Sequence, residues 1–134
     1  MSRPALLLPV HRDRYAVPLR MVQEVLEPAT VTRLPEAPPA VLGIINVRGL
    51  VVGVVDTAVL LGLEPLGRAR SVAVVRVARG VVGLAASARP VSEPLGEDLG
   101  PSPLPGALGR LRTSGGVATL LDLEAVLSAE VLAG

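Results

Sequence analysis

Sliding the chain along itself by 66 residues lays residues 15–61 over 81–127 without a gap, and 11 of the 47 pairs are identical. About five identities are expected by chance from such a composition, so the weight lies in which residues coincide. Pro28/Pro94, Pro35/Pro101, Pro39/Pro105, Gly43/Gly109, Gly49/Gly115 and Asp56/Asp122 superpose. These residue types fix backbone angles or cap helices, so their coincidence points to one small unit used twice. A half of about sixty residues is marginal alone, so two halves within 134 residues should share a core. The reading is a single domain over 1–134. Its approximate halves, 15–66 and 71–132, are each expected to form a strongly bent sheet of about five strands closing toward a barrel.

The apolar half of the composition contains one aromatic residue, Tyr15, so the core must be aliphatic. Short Val/Leu runs broken by Gly and Pro suit buried strands. Apolar runs at 5–10 and 15–19 flank the charged turn His11-Arg12-Asp13-Arg14, and runs at 44–47 and 50–55 flank Arg48-Gly49, the clearest hairpin signal. A third hairpin is expected around Arg79-Gly80 and a fourth around Ser114-Gly115-Gly116. Met21, Val22, Val25 and Leu26 have a helical spacing too short to establish a helix, which suits one turn leading into a strand. Two Pro-rich stretches, 27–40 and 94–106, read as connections. Asp56 stands before a short helix ended by Gly62. Asp122 opens a C-terminal helix with Leu123, Val126, Leu127 and Val131 on one face.

Chemistry-bearing residues are few. Without Cys, disulfides, thiolate metal sites and thiol catalysis are excluded. His11 sits among charges in a turn and reads as a solvated side chain, and Ser87, Ser114 and Ser128 have no second histidine to form a relay. Asp56 and Asp122 are each placed between a strand and a helix, where capping explains them; a small hydrolytic or ligand-binding barrel using either carboxylate is the competing reading. No catalysis, metal or cofactor is expected. Thirteen Arg against twelve acids, scattered and with one aromatic, do not suit nucleic acid. The C-terminal helix carries Glu124 and Glu130 and no Arg, which argues against membrane docking. After Met1-Ser2-Arg3-Pro4 only four apolar residues precede Pro9, too few for a signal peptide or membrane span, so a cytoplasmic protein is expected.

Tyr15-Ala16-Val17-Pro18-Leu19, Val22-Gln23-Glu24-Val25-Leu26, Pro35 with Pro38-Pro39, Gly43-Ile44-Ile45-Asn46-Val47-Arg48-Gly49 and Val52-Gly53-Val54-Val55-Asp56 follow one another in an order and spacing similar to the CheW domain of chemotaxis coupling proteins. The likeness extends more weakly through 71–86 and 116–127. Gly53 and Ser87 depart from it, at places where Pro and Asp are usual. The resemblance implies an all-β protein with short helices, folded as two intertwined five-stranded SH3-like barrels. It also implies a non-catalytic adaptor, recruited to receptor arrays, that bridges the cytoplasmic tips of chemoreceptors to the regulatory domain of a CheA-type histidine kinase. A variant binding one partner, as receptor-only coupler or decoy, is the alternative within the family. By the same resemblance, partner contacts fall around Val22, Glu24, Gly43, Asn46, Arg48 and Gly49. An Arg at a hairpin tip offers a planar, always charged donor to a partner carboxylate. Glu24 is expected to lie near Arg48 and orient its guanidinium.

Overall fold

A computed structural model describes residues 3–128, so Val131 and Glu130 of the expected C-terminal helix lie outside the described residues. Eleven strands and two one-turn α-helices follow in the order β1 (Arg3–Val10), β2 (Asp13–Pro18), β3 (Val22–Leu26), β4 (Val41–Val47), β5 (Leu50–Val55), α1 (Thr57–Leu60), β6 (Ser71–Val77), β7 (Gly80–Ala86), β8 (Val91–Leu95), β9 (Asp98–Gly100), β10 (Ala107–Thr113), β11 (Gly116–Leu121) and α2 (Leu123–Val126) among the described residues. A single 3₁₀ turn at Leu19–Met21 leads into β3, which accounts for the brief helical spacing there. The register of 66 is kept in three dimensions, since β4, β5 and α1 begin and end at the counterparts of β10, β11 and α2.

The strands form two sheets, ordered β3-β6-β7-β5-β4 and β8-β1-β2-β11-β10-β9. Each sheet therefore draws on both halves, with the opening hairpin of one repeat set between the later strands of the other. The links are parallel pairings, Val54↔Gly83 and Val55↔Leu84 in the first sheet and Thr119↔Tyr15 and Leu120↔Ala16 in the second. The expectation of one sheet per half gives way to this exchange, because pairing the opening hairpins across the repeat lets both of their faces be buried. Ala5 and Leu7 of β1 point into the second barrel, while Leu6, Leu8 and Val10 point into a core shared by both sheets. On β6, Val72 and Val74 point into the first barrel and Ala73, Val75 and Val77 into the shared core. Strands buried on both faces need continuous apolar runs, as these are. Tyr15 lies in the shared core, and its burial, with the charge of Asp13 adding to the effect, lifts its hydroxyl pKa above the usual 10.0.

The stretch 94–106, expected as a connection, instead begins inside β8 and contains β9. Pro94 is accommodated because β8 is an edge strand, where a missing N–H costs no ladder bond. Its counterpart 27–40 runs without a named strand, apart from the isolated bridge between Thr32 and Ile44.

Candidate partner-binding surface

The β4–β5 hairpin turns on two residues with positive φ, Arg48 at 53° and Gly49 at 87°. Such a turn matches the twist of the flanking strands and suits glycine at its second position, but a side chain in this left-handed region costs about 1 kcal/mol. Asn46 helps offset that cost, its Oδ1 accepting from the Gly49 N–H at 2.9 Å. The Asn46-Val47-Arg48-Gly49 sequence is thus a device for holding an arginine at a rigid tip. The Arg48 side chain is 83% exposed, and Leu50 and Val51 beside it are exposed to 69% and 68%. A guanidinium beside an apolar patch provides both parts of a protein contact surface, a directional charged donor and area to exclude water.

Glu24 reaches this tip from the opposite edge of the sheet. Its Oε2 lies 3.7 Å from Arg48 Nε. Val22 stands opposite Val75 and Glu24 opposite Val74, so a β-bulge falls between them. Without it Val22 and Glu24 would share a face. With it Val22 packs on the shared core, while Glu24 turns to the side of Val74 and of the first barrel's interior. An exposed pair of this length contributes about 0–1 kcal/mol, so its effect is to bias the direction of Arg48.

Gly43 lies apart from the surface. It is buried, and a Cβ there would come within 2.1 Å of the Thr32 carbonyl oxygen. Its glycine permits the close approach of the 27–40 connection to β4. Of the six residues singled out for partner contact, the structure brings Glu24, Asn46, Arg48 and Gly49 together at the tip, leaves Val22 half-buried behind them, and buries Gly43. Leu50 and Val51 were not singled out; two consecutive exposed apolar residues following a turn are the signal that would have shown them.

The carboxylates act as structural groups. Asp56 is buried, and its Oδ1 accepts from the N–H groups of Ala58, Val59 and Leu66 at 3.1, 3.3 and 3.2 Å, while Oδ2 accepts from Gly67 at 3.1 Å. It pins the start of α1 to the following turn. Asp122 keeps the helix cap, accepting from Ala125 N–H at 3.2 Å. A cavity of about 300 Å³ under the 27–40 connection includes Arg33, Arg68 and Leu42 in its lining and neither aspartate. Among the described residues no group of three His, Asp or Glu converges to hold a metal, and no helix is long and apolar enough to cross a membrane.

Two interlocked barrels related by duplication, with a built arginine tip on one of them, define a class of small β-barrel interaction module. Residues 4–131 match the CheW-like domain, and the chain belongs to that family. It is 38% identical over 74 residues to a probable chemotaxis protein CheW of Rhizobium etli, a match covering 54% of this chain and 48% of that protein. It is 36% identical over 52 residues to the chemotaxis protein CheW of Helicobacter pylori, covering 39% of this chain and 32% of the other. The matched stretches thus span about half or less of these relatives' lengths. The fold is also that of the scaffolding protein TtCheW from Thermoanaerobacter tengcongensis, with a TM-score of 0.81 at 21% identity over 98% of this chain and 91% of the other.

Proposed function

We propose that this chain is a non-catalytic cytoplasmic adaptor that couples chemoreceptor tips to the regulatory domain of a CheA-type histidine kinase, with the β4–β5 tip as part of its working surface. Kinase chemistry belongs to the partner. The observation that carries the reading is Arg48, held in a costly backbone conformation by Asn46 yet left mostly in solvent with only a 3.7 Å contact to Glu24. A rigidly held and mostly exposed guanidinium supports a role in contact with a partner. Family membership and the CheW names of the relatives support a chemotaxis scaffold, and the partner classes are those the family resemblance implies.

The test is co-elution and pull-down of wild type and Arg48→Ala with the kinase regulatory domain and with a receptor cytoplasmic fragment from the same genome. Wild type binds both, and Arg48→Ala loses about tenfold or more in affinity for at least one, the scale of a charged interface anchor. Its unfolding midpoint stays where it was, because an exposed pair contributes little. Wild type binding neither partner refutes the coupling role. Binding to one alone favours the narrower reading of a receptor-only coupler or decoy, which the closed second tip supports: Ser114 there, the counterpart of Arg48, is held by Glu93 through N–H···Oε1 at 2.7 Å and Oγ···Oε2 at 3.0 Å.

A further inference from the structure

Each barrel closes where the chain leaving one edge strand crosses to the other side of its sheet, β3 toward β4 and β8 toward β10. In the second barrel this seam is hydrogen-bonded along its length. The Gly96 N–H donates to Arg112 O at 2.8 Å, the Arg112 N–H donates to Glu97 O at 2.9 Å, and β9 then pairs with β10. In the first barrel Thr32 and Ile44 exchange N–H···O bonds of 2.8 Å, and among the described residues nothing corresponding to the Gly96–Arg112–Glu97 bonds follows toward the tip. Main-chain groups alternate sides along an antiparallel strand. Asn46, two residues beyond Ile44, therefore directs its N–H and C=O out of the same free edge, and neither has a hydrogen-bond partner there among the described residues.

The two seams differ at one position of the register. Gly96 sits so close to Arg112 that a Cβ would stand 3.1 Å from the Arg112 carbonyl oxygen. The register of 66 puts Thr30 at that place, opposite Asn46. Thr30 carries the side chain that Gly96 lacks, which disfavours the same close approach.

We infer that the open edge at Asn46 is a seat for a short extended segment of a protein partner. The main chain of that segment exchanges two hydrogen bonds with Asn46, and it carries a carboxylate two residues along, facing Arg48. Addition of a strand to an exposed edge is a general mode of peptide recognition, with main-chain bonds giving affinity and side chains giving choice. Charge decides the occupant here. Residues two apart on a strand share a face, so a carboxylate at that spacing reaches the guanidinium and supplies the charge-assisted bond that Glu24, at 3.7 Å, does not make. This deepens the coupling role and rests on it.

Amide hydrogen exchange of the full chain, alone and with the kinase regulatory domain or the receptor fragment, tests the seat. Alone, the Asn46 amide exchanges freely while those of Ile44 and Arg112 are protected. With one of the partners it becomes protected at least tenfold. Thr30→Gly, which allows the seam to close as at Gly96, protects the Asn46 amide without any partner and weakens binding of that same partner about tenfold, the scale of two net hydrogen bonds. An Asn46 amide already protected in the isolated wild type overturns the seat. So does binding that leaves this amide unchanged, an outcome under which the coupling role itself stands. Failure of wild type to bind either partner overturns both.

Discussion

At the β4–β5 tip Arg48 reaches into solvent, whereas at the β10–β11 tip Ser114 is tied to Glu93 and Arg14 donates to Thr113 Oγ1. Along the seams the same contrast holds: the first barrel leaves Asn46 open opposite Thr30, and the second closes over Arg112 opposite Gly96. At the helix caps the order reverses, since Asp56 collects four amides and Asp122 one among the described residues. Duplication supplied two copies of one frame. The copy with the firmer interior connections is the copy whose rim is left free, which is the arrangement a contact surface needs if it is to be rigid and unsatisfied at once.

The largest test of this contrast is at the paired glycines. Gly43→Ala forces a Cβ against the Thr32 carbonyl and should cost on the order of 3 kcal/mol, whereas at Gly109 the nearest atom stands at 3.4 Å and Gly109→Ala should cost about 1 kcal/mol. Urea unfolding of the two variants measures the difference, and equal losses would break the claim that the backbone crosses Gly43 more closely than Gly109. Next come the caps. Asp56→Ala leaves several inward-facing amides without an acceptor and should cost about 2–3 kcal/mol, against about 1 kcal/mol for Asp122→Ala. The smallest effect is in acid. Hydrogen bonds from Ser114 and the nearby Arg14 charge hold the Glu93 carboxyl below its usual 4.5, although desolvation opposes them. A carboxylate with a lowered folded pKa contributes stability that is present above its unfolded value and lost as pH falls through the folded one. The Ser114 amide should therefore lose protection below about pH 4.5, Glu93→Gln should lack that transition, and the Gly49 amide at the other tip should not follow it.

Much of the fold could be read from the chain because its turns are chemically explicit. Arg48-Gly49 and Arg79-Gly80 each stand between apolar runs of strand length, and the resulting all-β fold with one-turn helices is the one found. β8 and β9 were hidden because Pro94, Gly96 and Gly100 are the residues that ordinarily mark a connection; their strand character comes from pairing with β1 and β10, which no local pattern displays. The exchange of hairpins was hidden for a related reason, since a repeat states which segments are alike and not which will pair. At the surface, the nearness of Glu24 to Arg48 could be anticipated, but not the β-bulge that produces it. The burial of Gly43 could not be anticipated either, because a glycine required by a backbone crossing looks in sequence like a glycine required by a partner.

The exchange of hairpins also has a consequence in time. β2 gains its second neighbour only through Tyr15↔Thr119 and Ala16↔Leu120. During synthesis at typical rates, the aliphatic hairpin at the start of the chain waits on the order of ten seconds for the strand that will cover its free edge. Contacts so distant in sequence also make the final docking slow. The nascent protein therefore passes through an interval with an exposed, self-adhesive edge, and its yield in the cell depends on how that interval is guarded.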